Sequence, residues 1–128
     1  RQGFFKYGKK KKRGEFDPQF EEFLQPFVRE SEELTSEQIT ARLFMPMLLE
    51  ATRVIEEGLV RNVRDVDLGL VFGIGFPPFK GGLLFWADTM AGGELLETLK
   101  PFEQLGKRYQ PTELLKEMVA DGRKFYER

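Results

Sequence analysis

The residues with most chemical potential lie in one run: Gly73-Ile74-Gly75-Phe76-Pro77-Pro78-Phe79-Lys80-Gly81-Gly82. Glycine permits positive φ and close backbone approach, and proline fixes φ and removes a donor. Such a run could cradle a phosphate. Its spacing matches neither Gly-x-Gly-x-x-Gly nor a P-loop, and it joins two helical patterns rather than following a strand. A rigid connection between packed helices is the reading it supports. Asp65 with Asp67, and Glu56 with Glu57, could act as paired acids. Helical positions one or two apart do not face each other, so these read as solvated surface. Phe72, Phe76, Phe85 and Trp86 could line an apolar ligand site or form core.

Composition narrows the chemistry further. The 128 residues carry no Cys and no His. That excludes thiolate catalysis, a disulfide scaffold and Cys-based zinc sites, and removes the commonest general base and transition-metal ligand. No catalytic, cofactor-binding or metal-binding residue is assigned from the sequence. The net charge is −1, but the charge is segregated. Residues 1–13 carry seven cations (Arg1, Lys6, Lys9 to Lys12, Arg13) and no acid, whereas residues 15–37 carry eight acids and one base, Arg29. The basic run reads as a solvated linker rather than a nucleic-acid surface, because the rest of the chain is acidic.

The elements that must position these residues are helical. Asp17 and Pro18 suit the cap and first position of a short helix over residues 16–27, limited by Pro26. Thr35 and Gln38 form a capping box. Ile39, Leu43, Met47, Leu48, Ala51, Val54 and Ile55 then recur at helical spacing up to a stop at Gly58, with a kink expected at Pro46. Asn62 caps a helix over about 64–72. Further helices are expected over 82–90, over 93–107 with a break or bend at Pro101, and after Pro111, with Pro111 or Thr112 at its start and Gly122 at its stop. No stretch alternates with period two, so no sheet is expected. The expectation is an all-α domain, a bundle of about five helices over residues 18–128, preceded by a linker over 1–17. Gly3-Phe4-Phe5-Lys6-Tyr7, without an initiator Met, reads as the tail of an upstream unit and is echoed by Gly122-Arg123-Lys124-Phe125-Tyr126. The chain is therefore expected to be a piece of a longer protein.

The run from Asp65 to Gly82, with Arg42 to Ala51, Glu56-Glu57-Gly58 and Leu83 to Asp88, resembles the C-terminal helical domain of 3-hydroxyacyl-CoA dehydrogenases. More closely, it resembles the second helical repeat of the alpha subunit of the multifunctional fatty-acid oxidation complex. The resemblance implies a parent that is an enoyl-CoA hydratase (a lyase) and an NAD-dependent oxidoreductase acting on L-3-hydroxyacyl-CoA. NAD and the catalytic groups would lie elsewhere in that parent, and this chain alone would be inactive. It implies acyl-CoA as substrate and, as partners, an upstream Rossmann domain, a first helical repeat and a thiolase beta subunit. The second repeat would act as a built-in dimer mate. Phe72 aligns with a position that is Tyr in some relatives and is associated there with acyl-CoA binding. Its ring has no hydroxyl, so any contact would be apolar. Bacterial cytoplasm and mitochondrial matrix both fit. A stand-alone helical dimerisation or interaction module is the competing reading.

Overall fold

The computed structural model describes residues 4–8, 14–30 and 33–126. The basic run Lys9 to Arg13 lies outside them. The chain divides into two compact units, Arg1–Glu33 and Leu34–Arg128. The division falls after the first helix, where the sequence suggested a boundary between residues 17 and 18.

The first unit corrects the expectation of a sheet-free linker. Strands β1 (Phe5–Lys6) and β2 (Glu15–Phe16) pair antiparallel, with Phe5 opposite Phe16 and Lys6 opposite Glu15. Two-residue strands are too short for a period-two signal, so the pairing is invisible to pattern. Helix α1 (Pro18–Leu24) follows, with Asp17 as cap accepting from the Gln19 amide at 3.1 Å. A 3-10 turn, Gln25–Phe27, then takes in Pro26. The Lys6 ammonium lies 2.8 Å from the Asp17 carboxylate and holds that carboxyl below its usual range. Phe4, Phe16, Phe20, Phe23 and Phe27 run ring to ring at centroid separations of 4.4–6.2 Å.

The second unit is all helix: α2 (Ser36–Glu56), α3 (Val63–Ile74), α4 (Leu83–Ala87), α5 (Gly92–Leu99) and α6 (Glu113–Asp121). With α1 this makes six α-helices among the described residues. The helix expected over 93–107 ends at Leu99 and continues as 3-10 turns through Tyr109, because Pro101 cannot extend the α ladder. Both halves of the α2 capping box form: the Gln38 amide donates to the Thr35 hydroxyl at 3.2 Å and the Thr35 amide to the Gln38 side chain at 2.9 Å. Helix α2 runs unbroken through Pro46. The Arg42 carbonyl, which loses its helical donor there, accepts from the Tyr109 hydroxyl at 3.2 Å.

Met45, Leu48 and Leu49 of α2 meet Leu83 and Leu84 of α4, Leu99 of α5 and Leu115 of α6 in one core, each at most 1% exposed. Each such leucine contributes about 1.5–3 kcal/mol of burial free energy. Two threonines cross the same core. The Leu115 amide donates to the Thr112 hydroxyl, Thr112 to Thr52 at 3.0 Å, and Thr52 to the Leu49 carbonyl at 2.8 Å. Each hydroxyl thus donates once and accepts once, which is why they tolerate burial.

Candidate functional site

The corner between α3 and α4 collects the residues singled out by the sequence. Helix α3 stops at Gly75, whose φ of 72° is left-handed, and the Phe76 amide reaches back to the Leu70 carbonyl at 3.1 Å. This is the glycine-terminated helix end in which the residue after glycine turns inward. Phe76 enters the core, 3% exposed, with its ring centroid 5.1 Å from that of Phe44. Pro78–Lys80 form a 3-10 turn, and Gly81 (φ 82°) and Gly82 (φ 128°) feed α4. The two phenylalanines of the wedge therefore face opposite ways, because Phe79 is 85% exposed.

Phe72 is 83% exposed. Its reading as a core aromatic does not hold for this chain. Leu68, Ile74 and Phe79 are exposed on the same helix and loop. Trp86, by contrast, packs edge-on to Phe44 at 5.1 Å and belongs with the core, while Phe85 is 39% exposed. The sequence grouping of four aromatics thus splits: Phe76 and Trp86 support the fold, and Phe72 faces out.

The acid pairs separate as well. Asp65 is exposed and bonds Asn62 at the start of α3. Glu56 accepts from the Leu114 amide at 3.1 Å. Asp67 is no surface acid: it is 4% exposed. Its carboxylate accepts from the Leu84 amide at 2.8 Å, the Phe85 amide at 3.1 Å and the Tyr126 hydroxyl at 2.8 Å. Gly82 has no side chain to cap α4, so Asp67 caps it from the neighbouring helix. A signal for this existed. Val63, Val66, Leu70, Val71 and Ile74 mark an apolar stripe at three- and four-residue spacing, and Asp67 falls on it. An acid on a core-facing stripe must find donors.

Asp88, at the end of α4, plays a matching part. Its carboxylate accepts from the Phe125 and Tyr126 amides at 2.9 and 2.8 Å. Burial, and then donation to Asp67, hold the Tyr126 phenol above its ordinary range. A cleft of about 690 Å³ lies beside these groups, lined by Phe85, Asp88, Thr89, Arg123, Lys124 and Tyr126. A second, apolar groove of about 350 Å³ runs between α2 and α3, over Met47, Ala51, Val54, Val66, Leu70 and Ile74.

Asp67 and Asp88 are committed to backbone amides, which leaves them poor candidates for proton transfer. Among the described residues no group of three potential ligands is placed to hold a metal ion. The glycine-rich loop lacks the setting of a dinucleotide fingerprint: it leaves a helix, not a strand, and enters a five-residue helix. No helix is long and apolar enough to cross a membrane among the described residues. The arrangement suits apolar contact at an exposed corner that is held rigidly from behind.

These features define a small all-helical domain built around a glycine- and aspartate-fixed helical corner. The chain belongs to the 3-hydroxyacyl-CoA dehydrogenase C-terminal domain family, whose model matches residues 39–126. It is similar to proteins named fatty acid oxidation complex subunit alpha. That of Pseudomonas paraeruginosa is 40% identical over 129 residues, which cover 97% of this chain and 18% of that protein. The Pseudomonas aeruginosa protein gives the same figures, and that of Pseudomonas putida is 39% identical over the same shares. The chain therefore spans less than one fifth of the length of these relatives.

Proposed function

We propose that this chain is a non-catalytic helical domain of a fatty-acid β-oxidation enzyme. It supports the dehydrogenase fold as a built-in dimer mate and lends one apolar wall to an acyl-CoA cleft. The observation that carries this reading is the exposure of Leu68 and Phe72, which lie one turn apart on α3, with Phe72 83% exposed. Contiguous apolar side chains left in water mark a surface that another body covers. Phe72 offers that body a ring face and no hydrogen bond.

In this reading NAD and the proton-transferring groups of the L-3-hydroxyacyl-CoA dehydrogenase, and the enoyl-CoA hydratase centre, lie outside these residues. An upstream Rossmann domain and first helical repeat are the surfaces the corner meets, and a thiolase beta subunit is a further partner of the assembly. The purified chain should neither reduce NAD with a 3-hydroxyacyl-CoA nor hydrate an enoyl-CoA; turnover of either overturns the proposal. A second reading, a free-standing dimerisation module, rests on the same corner. Sedimentation across a concentration series separates the two. A discrete dimer that Phe72→Asp abolishes favours the module, and a monomer at high concentration favours the domain.

A further inference from the structure

Past Gly122 the chain leaves α6 and runs through Arg123 to Tyr126 outside any helix. Its anchors are side chains on either flank of the α3–α4 loop. Asp88 holds the Phe125 and Tyr126 amides, the Lys124 ammonium donates to the Asp88 carbonyl at 2.9 Å, and the Tyr126 hydroxyl reaches Asp67. The Tyr126 ring also lies against Phe85, at a centroid separation of 5.8 Å.

The loop it flanks is held locally elsewhere. The Lys80 and Gly81 amides donate to Pro77 and Pro78 within the loop itself, and the Phe76 ring fixes only its first half. Where the loop ends, at Gly82 and the first turn of α4, it is tied to α3 through the Asp67 carboxylate. One oxygen of that carboxylate, Oδ2, serves both the Phe85 amide and the Tyr126 hydroxyl. Two donors on one oxygen fix its position more tightly than either alone.

We propose that residues 122–126 form a latch on the α3–α4 corner. While the Tyr126 hydroxyl and the two Asp88-bound amides are seated, Asp67 is locked in place as the cap of α4 and the end of the loop at Gly82 is rigid. When the segment leaves, the first turn of α4 loosens first. The cleft beside Phe85, Asp88 and Tyr126 gives a ligand or a neighbouring surface access to the latch. This concerns the chain alone and holds whatever covers Phe72.

Amide hydrogen exchange at Leu84 and Phe85 tests it, with Leu48 and Leu49 of α2 as the reference for global opening. Tyr126→Phe removes one hydroxyl and keeps the ring. Exchange at Leu84 and Phe85 should quicken about tenfold, the factor a single hydrogen bond to a carboxylate carries, while Leu48 and Leu49 stay unchanged. Asp88→Asn should quicken the same two amides, and the double variant should go little beyond the larger single effect, because both release one element. Unchanged exchange at Leu84 and Phe85, equal quickening at all four amides, or fully additive effects would each overturn the latch.

Discussion

Asp67 fills the space that any side chain at Gly82 would need: a Cβ built there meets the Asp67 carboxylate directly. The backbone of Gly82, at φ 128°, is also one that L-residues avoid. Two demands therefore fall on one glycine. Gly82→Ala should destabilise the chain by at least about 2 kcal/mol, combining backbone strain with displacement of a buried cap. Gly106 makes the control, since its φ of 113° is similar but open space surrounds it. Gly106→Ala should cost about 1 kcal/mol from strain alone. Urea unfolding measures both, and equal losses would show that the Asp67 contact is unimportant.

The tie between Tyr109 and Arg42 makes a second prediction. Tyr109→Phe strips the Arg42 carbonyl of its donor and should cost about 1 kcal/mol. Pro46→Ala restores the helical amide that would serve the same carbonyl. In that background Tyr109→Phe should cost clearly less, and the double-mutant cycle should give a coupling of about 0.5–1 kcal/mol. A coupling of zero would mean that the two donors do not substitute for each other.

The threonine relay responds unevenly. Thr52→Val leaves the buried Thr112 hydroxyl without an acceptor and should cost about 1–3 kcal/mol. Thr112→Val also removes the cap of α6, a further loss of about 1 kcal/mol. Changing both should cost less than the two single losses added, because no orphaned hydroxyl remains. Thermal melts of the three variants decide it.

Alkaline stability reports on Tyr126. Its phenol titrates higher in the folded chain than in the unfolded one, so the folded state holds the proton longer. The contribution is full below the ordinary phenol value of 10.0 and is lost as pH rises beyond it toward the folded value. The chain should therefore lose stability more steeply above pH 10 than Tyr126→Phe does. Parallel curves from denaturant unfolding between neutral and strongly alkaline pH would remove Tyr126 from the account.

What could be read from sequence follows the range of the interaction. Thr35 with Gln38, Asp17 with Pro18, Asn62, Thr112, Gly75 and Gly122 all act within a turn of themselves, and each stands where local chemistry put it. The helical class, the main helix and the glycine-built corner follow from the same short-range rules. The role of Asp67 is hidden from local pattern because its donors lie 17, 18 and 59 residues away. How α2 carries Pro46 is hidden for a like reason, since the donor that serves the Arg42 carbonyl sits 67 residues away. The Phe5–Phe16 pairing is hidden by the brevity of its strands. Phe72 shows a different gap: apolar periodicity marks residues that want cover without telling which of them this chain covers itself.

The sequence distance between Arg42 and Tyr109 also makes one helix depend on the rest of the fold. A well-capped helix ordinarily forms early and from its own residues. Helix α2 can form its first turns that way, but it carries an open carbonyl at Arg42 until the 3-10 turns near Tyr109 close over it. Until those turns arrive, water is the partner left to that carbonyl. The unit then gains its core and the missing donor together, which ties helix completion to the closing of the whole fold.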